Sequence, residues 1–182
     1  QSHCKYSDIA ILYRTNAQSR IFEETLRKRN IPYRIYGGMS FYQRKEIKDL
    51  LAYFRLAVNP SDDEALNRIV NYPARGIGKT TMEYLSEFAE SKGVNLWVAI
   101  ENLGSEPTSI KGQAERKLKD FIKTVSNFRA LVFNTDAYEA AYSIAKDAGI
   151  LNDLKTDTSP EGISRMQNVE ELINSIKEFI EN

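Results

Sequence analysis

The sequence predicts a mainly α-helical chain that opens with a short βαβ piece and continues as an all-helical domain containing a helix-hairpin-helix-like element. Three observations carry this. From residue 40 onward apolar residues recur at spacings of three and four, the period of helices with one buried face. Before that, two short runs rich in β-branched and aromatic residues flank a single helical stretch. Between the helical stretches stand Ser, Thr, Asp, Asn, Gly and Pro, the residues that start and stop helices.

Residues 8–13, Asp-Ile-Ala-Ile-Leu-Tyr, form an almost continuous apolar run and predict a strand buried on both faces. Residues 18–29 predict a helix stopped at Asn30, and Pro32-Tyr-Arg-Ile-Tyr36 predicts a second strand ended by Gly37-Gly38. Strand, helix, strand is a βαβ unit, whose strands run parallel with a right-handed crossover. Two strands leave both edges open, so this unit calls for further strands from elsewhere. Ser40 to Gln43 reads as a capping box for a helix reaching Val58, with Ile47, Leu50, Leu51 and Phe54 on one face. Ser61 to Glu64 and Thr80 to Glu83 read as capping boxes of two more helices, one with Leu66, Ile69 and Val70, the other with Met82, Leu85, Phe88 and Ala89. A short helix at 96–100 and a mobile loop at 104–108 follow. Ile110, Ala114, Leu118, Phe121, Val125, Phe128 and Val132 form a long stripe. Asp136 caps a helix ending at Gly149, and Ser159-Pro160 opens a last one through Ile163, Met166, Val169, Ile173, Ile176 and Ile180.

Composition narrows the function. The chain has 182 residues with 25 Lys and Arg against 25 Asp and Glu, so net charge gives no overall pull toward a polyanion. The charge is unevenly spread: residues 1–48 carry ten cations against four acids, a surplus of +6 that the remainder offsets with −6. One Cys and one His, at positions 4 and 3, exclude a disulfide framework, a Cys/His metal centre and a Ser/His/Asp triad. No apolar run approaches the roughly 20 residues of a membrane span, and no secretory signal is seen, so a cytoplasmic location without a membrane partner is expected. The chain begins without Met and ends inside a helical pattern, which leads us to expect a piece of a larger protein.

Two candidate sites stand out. Gly76-Ile77-Gly78-Lys79-Thr80 resembles the end of a phosphate-binding loop, but the position that must be Gly is Pro73 and the preceding pattern is helical. A tight turn between two helices fits better: glycines at 76 and 78 permit φ > 0, Ile77 packs inward, and the helix N-terminus beyond offers backbone N–H groups to a phosphate. Arg75 and Lys79 add counter-charge, and such a contact is blind to base sequence. The bland alternative is an ordinary turn between packed helices. The second candidate is Tyr13-Arg14, at the carboxyl end of the first expected strand, where α/β sheets bind ligands. There Tyr can stack a base and Arg can pair a phosphate. Arg44, Lys45 and Lys48 are phosphate contacts or a plain polar helix face.

Four blocks, Asp8–Arg20, Pro32–Phe41, Arg44–Arg55 and Asn71–Gly78, occur in an order and spacing that resemble superfamily-one DNA helicases of the UvrD/PcrA/Rep type, and Ser164–Leu172 resembles a further segment. The resemblance implies that residues 1–58 begin the second RecA-like motor domain, 2A, and are an incomplete part of it. It implies that residues 59–182 belong to the inserted helical 2B domain. It implies an ATP-dependent helicase moving 3′ to 5′, with Tyr13 stacking adenine and Arg14 contacting the γ-phosphate as a catalytic group. Gly76, Ile77 and Gly78 correspond to the hairpin of 2B that touches duplex DNA at a single-strand/duplex junction, and Arg75, Lys79 and Thr80 beside them are expected to join in binding DNA. ATP and Mg²⁺ are implied for the full-length enzyme, but neither is expected on this stretch, which lacks Walker A and Walker B and is expected to be inactive alone. The implied partners are DNA, domains 1A and 1B, the rest of 2A, and proteins docking through 2B. The competing expectation is a helical docking or self-association module without intrinsic DNA affinity.

Overall fold

The computed structural model describes residues 5–181, and among them the secondary structure is helical. Nine α-helices follow in order: α1 Ser19–Lys28, α2 Lys45–Val58, α3 Asp63–Ile69, α4 Lys79–Lys92, α5 Leu96–Glu101, α6 Gln113–Asn134, α7 Ala137–Asp147, α8 Ile150–Thr156 and α9 Pro160–Glu181. Short 3₁₀ turns lie at Tyr6–Asp8, Asn16–Gln18 and Phe41–Gln43. None of the helices is long and apolar enough to cross a membrane.

The two expected strands do not form, which corrects the βαβ reading. Residues 9–13 and 31–35 are irregular, and among the described residues no ladder joins them; the only bridge is an isolated one between Leu103 and Glu106. An apolar run of the doubly buried type needs a sheet neighbour on each side and cover on both faces. Nothing here supplies either, so Leu12 stands 93% exposed and Ile9 and Ile11 are exposed as well. A cleft of about 910 Å³ opens along these segments, bordered by Ile9, Ile11, Tyr13, Phe22, Leu26 and Ile31.

The core lies in the helical part and α2 is its hub, packing on α3, α6, α7 and α9. Ile47, Leu50, Tyr53 and Leu56 of α2 are fully buried with Leu66 and Ile69 of α3 and with Leu118, Phe121, Val125 and Phe128 of α6. The α6 stripe therefore buries as its spacing requires. At the C-terminal end the stripe is shorter than expected: Val169, Leu172 and Ile173 of α9 are buried, whereas Ile163 and Ile180 are exposed.

Helix ends show where local signals lost to tertiary ones. Asp136 caps α7 as expected, accepting the Glu139 amide at 2.8 Å, and Gly149 ends that stretch at φ +89°. The second cap falls on Asp62, which accepts the Ala65 amide at 2.9 Å. The boxes at Ser40 and Thr80 do not form. The Ser40 hydroxyl donates to Glu23 instead, and α4 begins at Lys79 with Gly78 as its N-cap and no side-chain cap. Helix α8, with Ile150, Leu151 and Leu154 buried, was not expected, because Gly149 reads as a stop although the chain resumes helix immediately.

Candidate nucleic-acid interface

The turn between α3 and α4 is built by side chains that satisfy its backbone. Asn71 follows α3, and its Oδ1 accepts the amides of both Arg75, at 2.9 Å, and Ile77, at 3.0 Å. One carboxamide oxygen thus folds six residues into a closed loop. Ile77 is 3% exposed and anchors the turn in the core, as the sequence suggests. The two glycines differ. Gly76 has φ +68°, which favours glycine, while Gly78 is extended at φ −83° and a Cβ on it would meet nothing within 4 Å. Gly78 therefore marks open space on the surface of the turn rather than a strained backbone. Helices α3 and α4 are held together through α5, which packs against both.

Beyond the turn, the Lys79, Thr80 and Thr81 amides have no acceptor among the described residues, the usual state of an uncapped helix start. The helix dipole and these donors favour an anion there. Lys79 carries its side chain 91% exposed, with Glu83 at 3.5 Å, and Gly78, Lys79 and Thr80 are all exposed.

Arg75 lies differently from what its place in the motif suggests. Its Nη1 donates to the carbonyls of Ile69 and Pro73, both at 3.1 Å, and its Nη2 donates to the Tyr53 hydroxyl at 2.6 Å and to the Ala148 carbonyl at 3.2 Å. Its guanidinium also stands 5.4 Å from the Phe121 ring centroid. This is a planar fork consumed by protein acceptors, which only Arg can satisfy. Burial pushes the Tyr53 phenol up to about 12, against the lowering effect of Arg75. The Tyr53 hydroxyl in turn donates to the Tyr72 carbonyl at 2.5 Å.

Sequence reasoning missed Lys117. It comes from α6, 41 residues downstream, and its ammonium donates to the Gly76 carbonyl at 3.1 Å. Glycine at 76 is favoured by its φ of +68°; a Cβ there would meet only the ammonium tip of Lys117, which can swing aside.

Tyr13 and Arg14 sit on the irregular segment just before the Asn16–Gln18 turn. The Tyr13 ring lies 6.4 Å from Phe22 at 21°, a stacked pair, and both Tyr13 and Arg14 are exposed. Gln18 fixes the local backbone, its Oε1 accepting the amides of Arg14 at 2.9 Å and Thr15 at 3.1 Å. The hairpin residues and this pair do not share a pocket: the cleft includes Tyr13 and none of residues 75–80. Among the described residues no group of three or more His, Cys, Asp or Glu is placed to hold a metal.

A buried polar network joins the N-terminal segment to α2 and α9. Arg20, 4% exposed, pairs with Glu24 at 3.0 Å, Glu171 at 2.7 Å and Glu178 at 3.1 Å. Arg44 donates to the Asn16 carbonyl and the Asn168 Oδ1, both at 2.8 Å, and to the Ser19 hydroxyl at 2.9 Å. Asn168 donates onward to Glu46 at 2.6 Å. Burial lowers the Arg44 pKa, opposed by the charges of Glu23 and Glu46. Two of the four blocks that carry the family resemblance, Asp8–Arg20 and Arg44–Arg55, thus meet the further segment Ser164–Leu172 in one place.

Comparison with known proteins agrees. Residues 1–182 match the model of the UvrD-like helicase C-terminal domain. The ATP-dependent DNA helicase PcrA of Bacillus subtilis is 41% identical over 175 residues, covering 96% of this chain and 23% of that protein. The PcrA helicase of Leuconostoc citreum is 40% identical over 177 residues, and DNA helicase II of Escherichia coli 36% over 176, each covering 97% of this chain and 24% of the relative. The chain spans about a quarter of the length of these relatives. With the fold helical and the blocks meeting as they do, the chain belongs to the family of UvrD-like helicase C-terminal domains.

Proposed function

We propose that this chain is the duplex-contacting and nucleotide-edge portion of an ATP-dependent DNA helicase that moves 3′ to 5′, comprising the start of domain 2A and the helical 2B domain. The observation that carries the proposal is the turn from Pro73 to Gly78, closed by Asn71 and opening an uncapped helix at Lys79. Backbone donors and a lysine on an exposed turn suit a phosphate without regard to base identity, which is what an enzyme working along arbitrary sequence requires. Gly78, Lys79 and Thr80 make the contact, Ile77 anchors it and Arg75 braces it.

Tyr13 and Arg14 supply one side of the ATP site. An exposed ring stacked on Phe22 is a platform for adenine, and Arg14 supplies positive charge for the γ-phosphate as negative charge develops during phosphoryl transfer. Residues of this chain fit a nucleotide edge but not Mg²⁺, whose ligands, with the Walker A loop, come from the remainder of the helicase. This chain by itself is therefore inactive as an ATPase. The exposure of Ile9, Ile11 and Leu12 supports this reading, in which the rest of 2A covers them.

The test is anisotropy of a labelled duplex carrying a 3′ single-stranded tail, with unrelated duplex sequences as comparison. Binding that is equal across sequences and weakens steeply with salt supports the proposal. Salt-insensitive self-association without DNA binding favours the docking reading.

A further inference from the structure

We infer that Lys117, on α6, is a phosphate-contacting residue of the hairpin, and that it takes the role that Arg75 is placed to fill by sequence alone. The inference rests on the reading of the turn as a duplex contact and names the cation that serves it. A turn presented to a polyanion has one intrinsic defect: its peptide carbonyls carry partial negative charge toward the phosphates. The Gly76 carbonyl is such a group, and Lys117 neutralises it at 3.1 Å. An ammonium has three N–H donors, and the carbonyl takes one. Among the described residues no carboxylate lies within ion-pair distance of Lys117, so its charge is not cancelled locally. Its neighbours Glu115 and Lys119 pair with each other at 2.8 Å. Arg75 has no comparable freedom, because its two terminal nitrogens serve three carbonyls and the Tyr53 hydroxyl. Lys117 lies one helical turn ahead of the buried Phe121, so α6 holds the base of its side chain fixed while the ammonium reaches the turn.

The experiment measures the affinity of this chain for the tailed duplex between about 20 and 200 mM salt, for wild type, Lys117→Gln, Lys117→Arg and Gly78→Val, with a thermal melt of each. Lys117→Gln is expected to reduce the slope of log K against log salt by about 0.9, the value for one phosphate contact, with Tm unchanged. Lys117→Arg is expected to restore the slope. An unchanged slope in Lys117→Gln while Gly78→Val loses binding would overturn this inference and leave the hairpin contact standing. A lowered Tm with an unchanged slope would reduce Lys117 to a tether between α6 and the turn and equally overturn it. Absence of wild-type binding at the lowest salt would overturn both readings.

Discussion

At the scale of single residues, the sequence conveys which side chains matter near the turn better than what each one does. Ile77 reads as an inward anchor and is one. Arg75 reads as a phosphate ligand because it flanks a glycine turn, yet it is an internal brace, since the carbonyl acceptors of Ile69, Pro73 and Ala148 converge on it only in three dimensions. Replacing Arg75 by Ala leaves the Pro73 and Ala148 carbonyls without this donor and takes one partner each from the Ile69 carbonyl and the Tyr53 hydroxyl, which keep their bonds to Tyr72. A loss of about 3 kcal/mol is expected, read as a Tm lower by roughly 6–12 °C. Arg75→Lys should recover little of it, because an ammonium cannot reproduce the fork. Asp62 offers a second check. The Ala65 amide, with help from Arg55, holds its carboxyl below the ordinary value of 3.8. A depressed folded-state pKa contributes stability above the unfolded value and loses it as pH falls through the folded one. The acid side of the stability profile should therefore flatten below about pH 4 in Asp62→Asn, measured by denaturant midpoints against pH.

At the scale of elements, helices were legible where an apolar stripe and an end signal agreed. α7 meets both conditions, with Ala141 and Ile144 buried behind the Asp136 cap, while α6 was legible from the length of its stripe alone, through Leu118, Phe121, Val125 and Phe128. The α4 start was misplaced because Gly78 can cap by backbone geometry alone, leaving Thr80 inside the helix. α8 was hidden by Gly149, which both ends one helix and precedes the next. Lys117 was invisible for another reason: sequence offers no sign that a lysine in the middle of a stripe reaches a turn 41 residues away. The α6 stripe gives a quantitative expectation. Leu118→Ala, at a fully buried position, should cost about 2–5 kcal/mol in chemical denaturation and leave the salt slope of DNA binding unchanged.

At the scale of the whole molecule, the sheet was the part that sequence pattern overstated. Residues 8–13 have strand character, but strands exist only in pairs, and pairing partners are not a local property. What joins the N-terminal segment to the helical core is instead the network of Arg20, Arg44, Glu46, Asn168 and Glu171. Arg44→Ala leaves Asn168 and the Asn16 carbonyl without a charged donor. Faster amide hydrogen exchange over residues 16–28 is expected, with exchange in α6 unaltered. Three phenols, the buried Tyr53 and the half-buried Tyr42 and Tyr72, set the alkaline limit: burial pushes Tyr53 and Tyr42 up to about 12 from the ordinary 10.0 and raises Tyr72 as well. Raised folded values give stability that is complete below about pH 10 and lost as pH rises toward 12, a decline visible in thermal melts across that window.

The central claim is that the turn at Gly76–Gly78 contacts a duplex backbone, and Gly78 is its sharpest probe. A side chain there meets nothing in the protein and needs no unusual φ, so Gly78→Val costs about 1 kcal/mol of N-cap preference and obstructs only what approaches from outside. The measurement is duplex affinity of wild type and Gly78→Val at about 20 mM salt, each first shown to be folded. The account predicts salt-sensitive binding in wild type and its loss in the variant; equal affinity in the two folded proteins would contradict it.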